Sequence, residues 1–148
     1  MGHDDDDVGP ARGRPLVVTG TVESETILGG RFLVSTTVIT EGMFAGESVS
    51  IFGFDRRSEE YTLIGLDTIG TYWVTAQGPM GSDGKAVLSG EDFDPVFNGM
   101  QLYDFVLSWP DADTMVTDLI FKDEMHAGGP EPHRLLNIVS RRPLGDHV

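Results

Sequence analysis

Short runs of β-branched and aromatic residues, separated by residues that favour turns, constrain the fold of this chain more than any other feature. Such runs, repeating every ~8–12 residues, are typical of all-β proteins. Helical periodicity is weak, because glycines or several β-branched residues interrupt every window that could bear it. The predicted strands are Leu16–Glu23, Arg31–Thr40, Glu47–Phe54, Tyr61–Leu66, Thr71–Gln77, Lys85–Glu91, Met100–Trp109, Thr114–Lys122 and Arg134–Arg141.

The turns between these runs join neighbouring strands as hairpins. Asp67–Gly70 has Asp first and Gly fourth, as a type I turn prefers, and Ser82–Gly84 ends in the Asp-Gly pair of tight hairpins. The longest connection, Glu124–Pro132, is predicted to be a loop. A long meander must curl or split to cover its edges. We therefore predict an all-β, antiparallel up-and-down meander closed into a lipocalin-like barrel of about 8–10 strands, with a sandwich as the competing architecture.

Length and charge bound the organisation of the chain and the class of its partners. A chain of 148 residues fits one domain, so we expect a disordered acidic tail over 1–14 and a single β-barrel domain over 15–148. The net charge of −14 disfavours nucleic acid as a partner. The chain has no cysteine and no apolar stretch of ~18 residues, so we expect no disulfide, no membrane span and a cytoplasmic location.

One string of residues carries a resemblance to a known family. Leu28-Gly29-Gly30-Arg31-Phe32-Leu33 is followed by Gly53-Phe54-Asp55, then Tyr61, then Asp67 with Gly70. This order resembles an uncharacterised, mostly bacterial family, a domain of unknown function similar to the lipocalin-like (calycin-like) barrels. The resemblance covers roughly Thr19 to Arg142. It implies a barrel with an interior cavity and carries over no catalytic residue.

The N-terminal segment departs from that family. Its members usually begin with a short helix and a strand carrying Gly-x-Trp, upstream of the position matching Thr19, where this chain has its acidic segment. The resemblance therefore implies either a barrel without its first strand or a gap closed in another way, for instance by a second subunit.

Aromatic side chains recur on one face of several predicted strands. Since alternate residues of a strand share a face, Tyr103, Phe105, Leu107 and Trp109 point the same way, and the aromatic-rich faces are expected to line the interior. Such a pocket suits a small, largely apolar ligand, whereas the alternative is that these rings simply fill the core. The residues predicted to line the pocket are Arg31, Tyr61, Trp73, Tyr103, Phe105, Trp109 and Phe121.

A pair of aspartates raises the alternative of an enzyme. If Pro110–Ala112 forms a three-residue loop, Asp104 falls opposite Asp118, and paired carboxylates at a barrel mouth can perform acid–base chemistry. The favoured interpretation of this pair is a register that differs by one residue, or both aspartates facing solvent with Lys122 or an arginine nearby. An enzyme is the less favoured function, and we predict no catalytic residue.

Two histidines and three carboxylates lie between Asp123 and His133. Such ligands can bind transition metals, but the spacing matches no established motif, so no metal and no cofactor is predicted. His133, at the start of a late strand, is also comparable to the axial histidine of haem-binding nitrobindin barrels, a minor alternative. The remaining alternative is an interaction domain that forms a homodimer through an open sheet edge.

Overall fold

The computed structural model describes residues 19–43 and 45–141, so the predicted tail over 1–14 and the start of the first predicted strand lie outside the described residues. Within those ranges the chain forms strands joined by turns and contains a single short helix. The elements are β1 (Gly20–Ile27), β2 (Phe32–Ile39), β3 (Gly46–Asp55), β4 (Glu60–Asp67), β5 (Val74–Gly78), β6 (Ala86–Asp94), β7 (Gly99–Asp111), β8 (Thr114–Phe121), α1 (Glu124–Ala127) and β9 (His133–Arg141).

The strands form one sheet in sequence order, and every neighbouring pair is antiparallel. The sheet curls into a nearly closed barrel, which confirms the predicted all-β, up-and-down architecture and excludes the sandwich. In the described part of the chain, β1 and β9 are the two ends of this strand order and do not pair with each other. No described helix has the length and apolar character that a membrane crossing requires.

Two elements near one end of the barrel differ from the prediction. β6 continues to Asp94, three residues beyond the predicted end of this strand at Glu91. The segment predicted to be a loop over Glu124–Pro132 begins with α1. This helix forms because the Asp123 side chain accepts the backbone N–H of His126 at its start, while Gly128 ends it with a φ of 80°.

The core lies where β5, β6 and β7 meet. Ala86 and Leu88 are completely buried, and Tyr103 is 2% exposed. Seven partly buried side chains pack against this core and identify the inward face of the neighbouring strands, namely Phe52, Tyr61, Leu63, Val74, Phe105, Leu119 and Phe121. Because side chains alternate between the two faces of a strand, these contacts assign the face of every other position.

The inward face of β1–β4 carries a row of small residues. Ser24 pairs with Ser35, Ser35 with Ser50 and Ser50 with Gly65, so these four residues form a row across four strands. Ser50 and Gly65 lie two residues from the core contacts Phe52 and Leu63, respectively, and therefore face inward. The Oγ atoms of Ser24 and Ser35 are hydrogen-bonded at 2.7 Å.

Glycine permits the tight corner between β5 and β6. A side chain at Gly78 would collide with the carbonyl oxygen of Val87, and one at Gly90 would collide with that of Thr75. The hydroxyl of Tyr103 donates a hydrogen bond of 3.0 Å to the Thr75 carbonyl across this corner. The corner bends the sheet so that its two halves face each other around the interior.

Candidate functional site

Four of the predicted pocket residues lie together on the inward face. Tyr103 belongs to the buried core, and Tyr61, Phe105 and Phe121 pack against it. The rings of Tyr103 and Phe105 meet edge to face, with centroids 5.8 Å apart. Tyr61 stacks on Phe52, which the sequence did not single out, at a centroid distance of 5.4 Å. Phe52, Tyr61, Tyr103, Phe105 and Phe121 thus all belong to or pack against one core, and we call them the aromatic wall.

The other three predicted residues are placed elsewhere. Trp73 precedes β5 and is 67% exposed, and Trp109 follows an irregularity in β7 and is 42% exposed. Arg31 ends the exposed turn before β2, where its backbone N–H donates to the Ile27 carbonyl. These side chains therefore lie outside the aromatic wall.

The predicted pairing of Asp104 with Asp118 is wrong. β7 and β8 are joined by a two-residue turn with a bulge between Ser108 and Asp111, so Asp104 pairs with Ile120 and Val106 pairs with Asp118. The register differs from the expected one by two residues, which leaves both aspartates on the outward face. They are diagonal neighbours there and do not form a carboxylate pair.

Each of these aspartates has its own polar partners. Asp104 lies 2.9 Å from the Lys122 ammonium and accepts a hydrogen bond from the Ser89 hydroxyl at 2.6 Å. Asp118 accepts a hydrogen bond from the Asn137 amide and lies 3.5 Å from a guanidinium nitrogen of Arg134. This arrangement matches the alternative of outward aspartates with Lys122 or an arginine nearby, although the register differs by two residues and not by one. It gives no support to acid–base chemistry at these positions.

The most connected polar group of the described residues is centred on His126 of α1. Its Nδ1 lies 2.6 Å from Asp123 Oδ2, and its Nε2 lies 2.8 Å from Asp94 Oδ2 at the end of β6. Asp123 also accepts the backbone N–H of Leu102 at 2.8 Å. The His126 side chain is only 9% exposed. The imidazole thus joins α1 to β6, and Asp123 joins α1 to β7.

The hydrogen bonds of His126 define its protonation state. A neutral imidazole has one N–H donor, whereas both ring nitrogens here face carboxylate oxygens, so the geometry requires the imidazolium. Burial opposes the charged ring, but the hydrogen bonds to Asp94 and Asp123 outweigh it and raise the pKa of His126. The hydrogen bond from His126 in turn lowers the pKa of Asp94.

Aromatic rings flank this group. Phe97, in the turn between β6 and β7, meets the imidazole edge to face with centroids 5.2 Å apart. Phe121, on the aromatic wall, lies 5.7 Å from it. His126 is therefore held between two carboxylates and two phenyl rings, at the rim of the interior.

Further titratable groups lie beside this rim. Burial, followed by the charge of Asp94, raises the pKa of Asp92 on the inward face of β6. Burial, followed by the charge of Asp92, raises the pKa of Tyr103 to about 12. Burial also raises the pKa of Tyr72, with contributions from Asp92, Asp67 and Asp94.

These residues meet because of the strand directions. In an up-and-down meander, the segments after β2, β4, β6 and β8 emerge at the same end of the barrel, which we call the α1 end. The α1 end also carries exposed apolar side chains, namely Met43, Ile69, Tyr72, Trp73, Val96, Phe97 and Met125. It thus combines charged groups with an apolar rim.

Two open depressions lie on the barrel surface. One of about 410 Å³ runs along β4, β5 and β6 and includes the outward-facing Thr62, Gln77 and Ser89. The other, of about 290 Å³, lies between β1 and β2 beside Glu23 and Glu25. The first has a mixed polar and apolar lining and the second is mainly polar, and neither is lined by the predicted pocket residues.

Sequence reasoning missed Asp94 and placed His126 and Asp123 only in a possible metal loop. The described ranges contain no group of three or more His, Asp or Glu side chains arranged to hold a metal ion. His133 lies on β9 opposite Phe121. A local signal for the His126 contact was present, since an Asp three residues before a His can cap a helix.

The fold and these contacts can be set against known proteins. No curated protein matches the chain at a significant level. The model of a family described as a protein of unknown function, DUF1579, matches residues 8–142, which is most of the chain. The chain therefore belongs to the DUF1579 family.

Proposed function

We propose that this protein binds a small, largely apolar molecule inside its barrel. The observation that carries the proposal is the uneven filling of the inward face, where a row of three serines and a glycine across β1–β4 lies beside the aromatic wall. Barrels of about this size either fill their interior with side chains or hold one small ligand. Small residues on one wall favour the second outcome.

Exposure of inward-facing residues supports an unfilled interior. A Cβ at Gly65 would have only the Cβ of Val74 within 4 Å. Val22 of β1 and Ile138 of β9 face inward by strand pairing, yet they are 41% and 39% exposed. These apolar surfaces would be covered by a bound molecule, which supplies a hydrophobic driving force for binding.

The lining indicates the chemistry of the ligand. Phe52, Tyr61, Phe105 and Phe121 offer ring faces and edges suited to planar or aliphatic groups. Polar contacts are concentrated in the serine row and at the α1 end. A mostly apolar molecule with one polar end fits this distribution.

Binding can be tested with N-phenyl-1-naphthylamine, a neutral fluorescent probe that the net charge of −14 does not repel. We expect Gly65→Leu to lower its affinity at least tenfold, because the added side chain occupies the interior. Thr62→Leu is the matched control, since it places the same side chain on the outward face of the same strand. The proposal fails if the wild-type chain does not bind the probe, or if Thr62→Leu abolishes binding while Gly65→Leu does not.

The unpaired sheet edge favours strand addition by a second copy as another candidate function. All eight residues of β1 are exposed, and β1 pairs only with β2 in the described part of the chain. Such an edge presents free backbone donors and acceptors to another strand. Sedimentation at increasing protein concentration should then show a dimer. Hydrogen exchange should show that the β1 backbone amides are protected in that dimer. A monomer at all concentrations would exclude this candidate.

A further inference from the structure

We propose that His126 is a pH-sensitive strap that fastens α1 to the end of β6, and that loss of its proton releases α1 and the following loop. The proposal rests on the position of one imidazole between carboxylates of two separate elements. Asp123 belongs to the N-cap of α1 itself, whereas Asp94 lies 32 residues earlier at the end of β6. The contact to Asp94 is therefore the one that crosses between elements.

The charge of the ring decides whether both contacts hold. When the ring loses a proton, one nitrogen keeps its N–H and the other presents a lone pair. Asp123 is held by the backbone N–H groups of Leu102 and His126, and one oxygen of Asp94 accepts the N–H of Val96. Both carboxylates thus stay in place, and a neutral ring must face one of them without a donor.

The shorter contact indicates which bond survives. The Nδ1 to Asp123 distance of 2.6 Å lies within one helical turn, so the neutral ring is expected to keep that proton. The Nε2 contact to Asp94 is then repulsive and breaks. Because this contact joins α1 to β6, its loss frees α1 while leaving the N-cap intact.

The groups facing His126 from each packed element are consistent with this sequence of events. β6 contributes the carboxylates of Asp94 and Asp92, and α1 contributes the carboxylate of Asp123. The turn after β6 contributes Phe97, and β8 contributes Phe121, neither of which carries a charge. The surrounding charge is negative, so it favours the protonated ring and the fastened state at neutral pH.

Release would open the α1 end of the barrel. Three backbone hydrogen bonds maintain α1 and its C-cap, from Ala127 to Asp123 and from Gly128 and Gly129 to Glu124. A four-residue helix is unstable without tertiary support, so these bonds should exchange faster once the contact to Asp94 is lost. The strap acts on the fold itself and does not depend on the proposed ligand.

Nuclear magnetic resonance of the full ¹⁵N-labelled chain tests the strap between pH 5.5 and 9. We expect the exchange protection of the Ala127 and Gly128 amides, corrected for intrinsic rates, to fall at least fivefold as pH rises. The midpoint should coincide with the titration of the His126 ring, above the ~6.5 of an unperturbed histidine. Constant protection through that titration would overturn the proposal.

Variants separate the strap from a general effect of pH. Asp94→Asn removes the carboxylate that crosses between elements, so the midpoint of both the ring titration and the loop transition should move to lower pH. His133→Gln removes a histidine that takes no part in the hydrogen bonds above, so it should leave both midpoints unchanged. An unchanged midpoint in Asp94→Asn, or a shift of the loop transition in His133→Gln, would contradict the proposal.

Discussion

Asp123 accepts two hydrogen bonds from one residue, His126, through its backbone N–H at 3.0 Å and its ring Nδ1 at 2.6 Å. The first bond caps α1 and the second fixes the orientation of the imidazole. The Asp123 carboxylate therefore both caps the short helix and orients the His126 ring towards Asp94. Local and tertiary structure at the α1 end depend on the same side chain.

Acid should destabilise the fold partly through Asp123. Burial opposes its ionisation, but hydrogen bonds from Leu102 and His126 outweigh burial and lower the pKa of Asp123 to about 2. A lowered pKa gives a contribution to stability that is complete above 3.8, the ordinary pKa of an aspartate, and is lost as pH falls towards 2. We expect Asp123→Asn to reduce the dependence of the urea midpoint on pH in this window.

Asp55 also contributes to the loss of stability in acid, so Asp123→Asn alone should not remove all of it. Hydrogen bonds from Arg57 lower the pKa of Asp55 to about 2 as well, so part of the acid dependence should remain in Asp123→Asn. Combining Asp123→Asn with Asp55→Asn should remove more of it. If the urea midpoint depends on acid pH in the same way in the wild-type chain and in the double variant, these two aspartates are not the source of the acid sensitivity.

Alkaline pH should weaken the fold through His126. Because the pKa of His126 is raised on folding, its contribution is fully present below ~6.5 and is lost as pH rises through the folded-state pKa. The free energy of unfolding of the wild-type chain should therefore decline above neutrality, whereas His126→Gln should show a flatter profile. Urea titrations at pH 6 and pH 9 measure the difference, and parallel profiles would argue against it.

Leu88 should be one of the most sensitive positions of the core. It is completely buried between β5 and β7, and truncation of such a leucine typically costs 2–5 kcal/mol. Leu88→Ala should therefore lower the free energy of unfolding by about 3 kcal/mol. Val87→Ala, at a neighbouring residue that is 41% exposed, should cost less than about 1 kcal/mol. Similar losses in chemical denaturation would show that the core lies elsewhere.

The corner between β5 and β6 should reject side chains. Gly90→Ala would place a Cβ against the Thr75 carbonyl and the Tyr103 ring, so the strands must separate. We expect a loss of at least 2 kcal/mol and a shift in the resonances of Tyr103. Gly129→Ala, which meets no atom within 4 Å, is the control and should have little effect. Equal stability of the two variants in thermal melts would refute this role.

The architecture could be predicted from the sequence because each strand is indicated by a local pattern of residues. Alternation and turn residues depend only on neighbours in the chain, so the strand order and the inward placement of Tyr103 and Phe105 could be predicted. The register of β7 against β8 could not, because the turn lies after Asp111 instead of Trp109 and a bulge between Ser108 and Asp111 shifts the pairing by one residue.

The cluster at the α1 end was harder to predict. Asp94 and His126 are 32 residues apart, and nothing in the local pattern of either residue indicates the other. The exposed positions of Trp73 and Trp109 were also hard to predict, since an aromatic residue near a strand end can follow the strand's face or leave it. Contacts that depend on how ends of strands converge require the folded chain.

The absence of pairing between β1 and β9 in the described part of the chain bears on the width of the barrel interior. In a fully closed barrel, continuous pairing fixes the number of strands and their stagger, and these two quantities set the inner diameter. Among the described strands, β1 and β9 lack this pairing, so these two edges can move apart or together by small changes in sheet coiling, with no backbone hydrogen bond broken. Strand pairing in the described barrel therefore leaves the width of its interior adjustable.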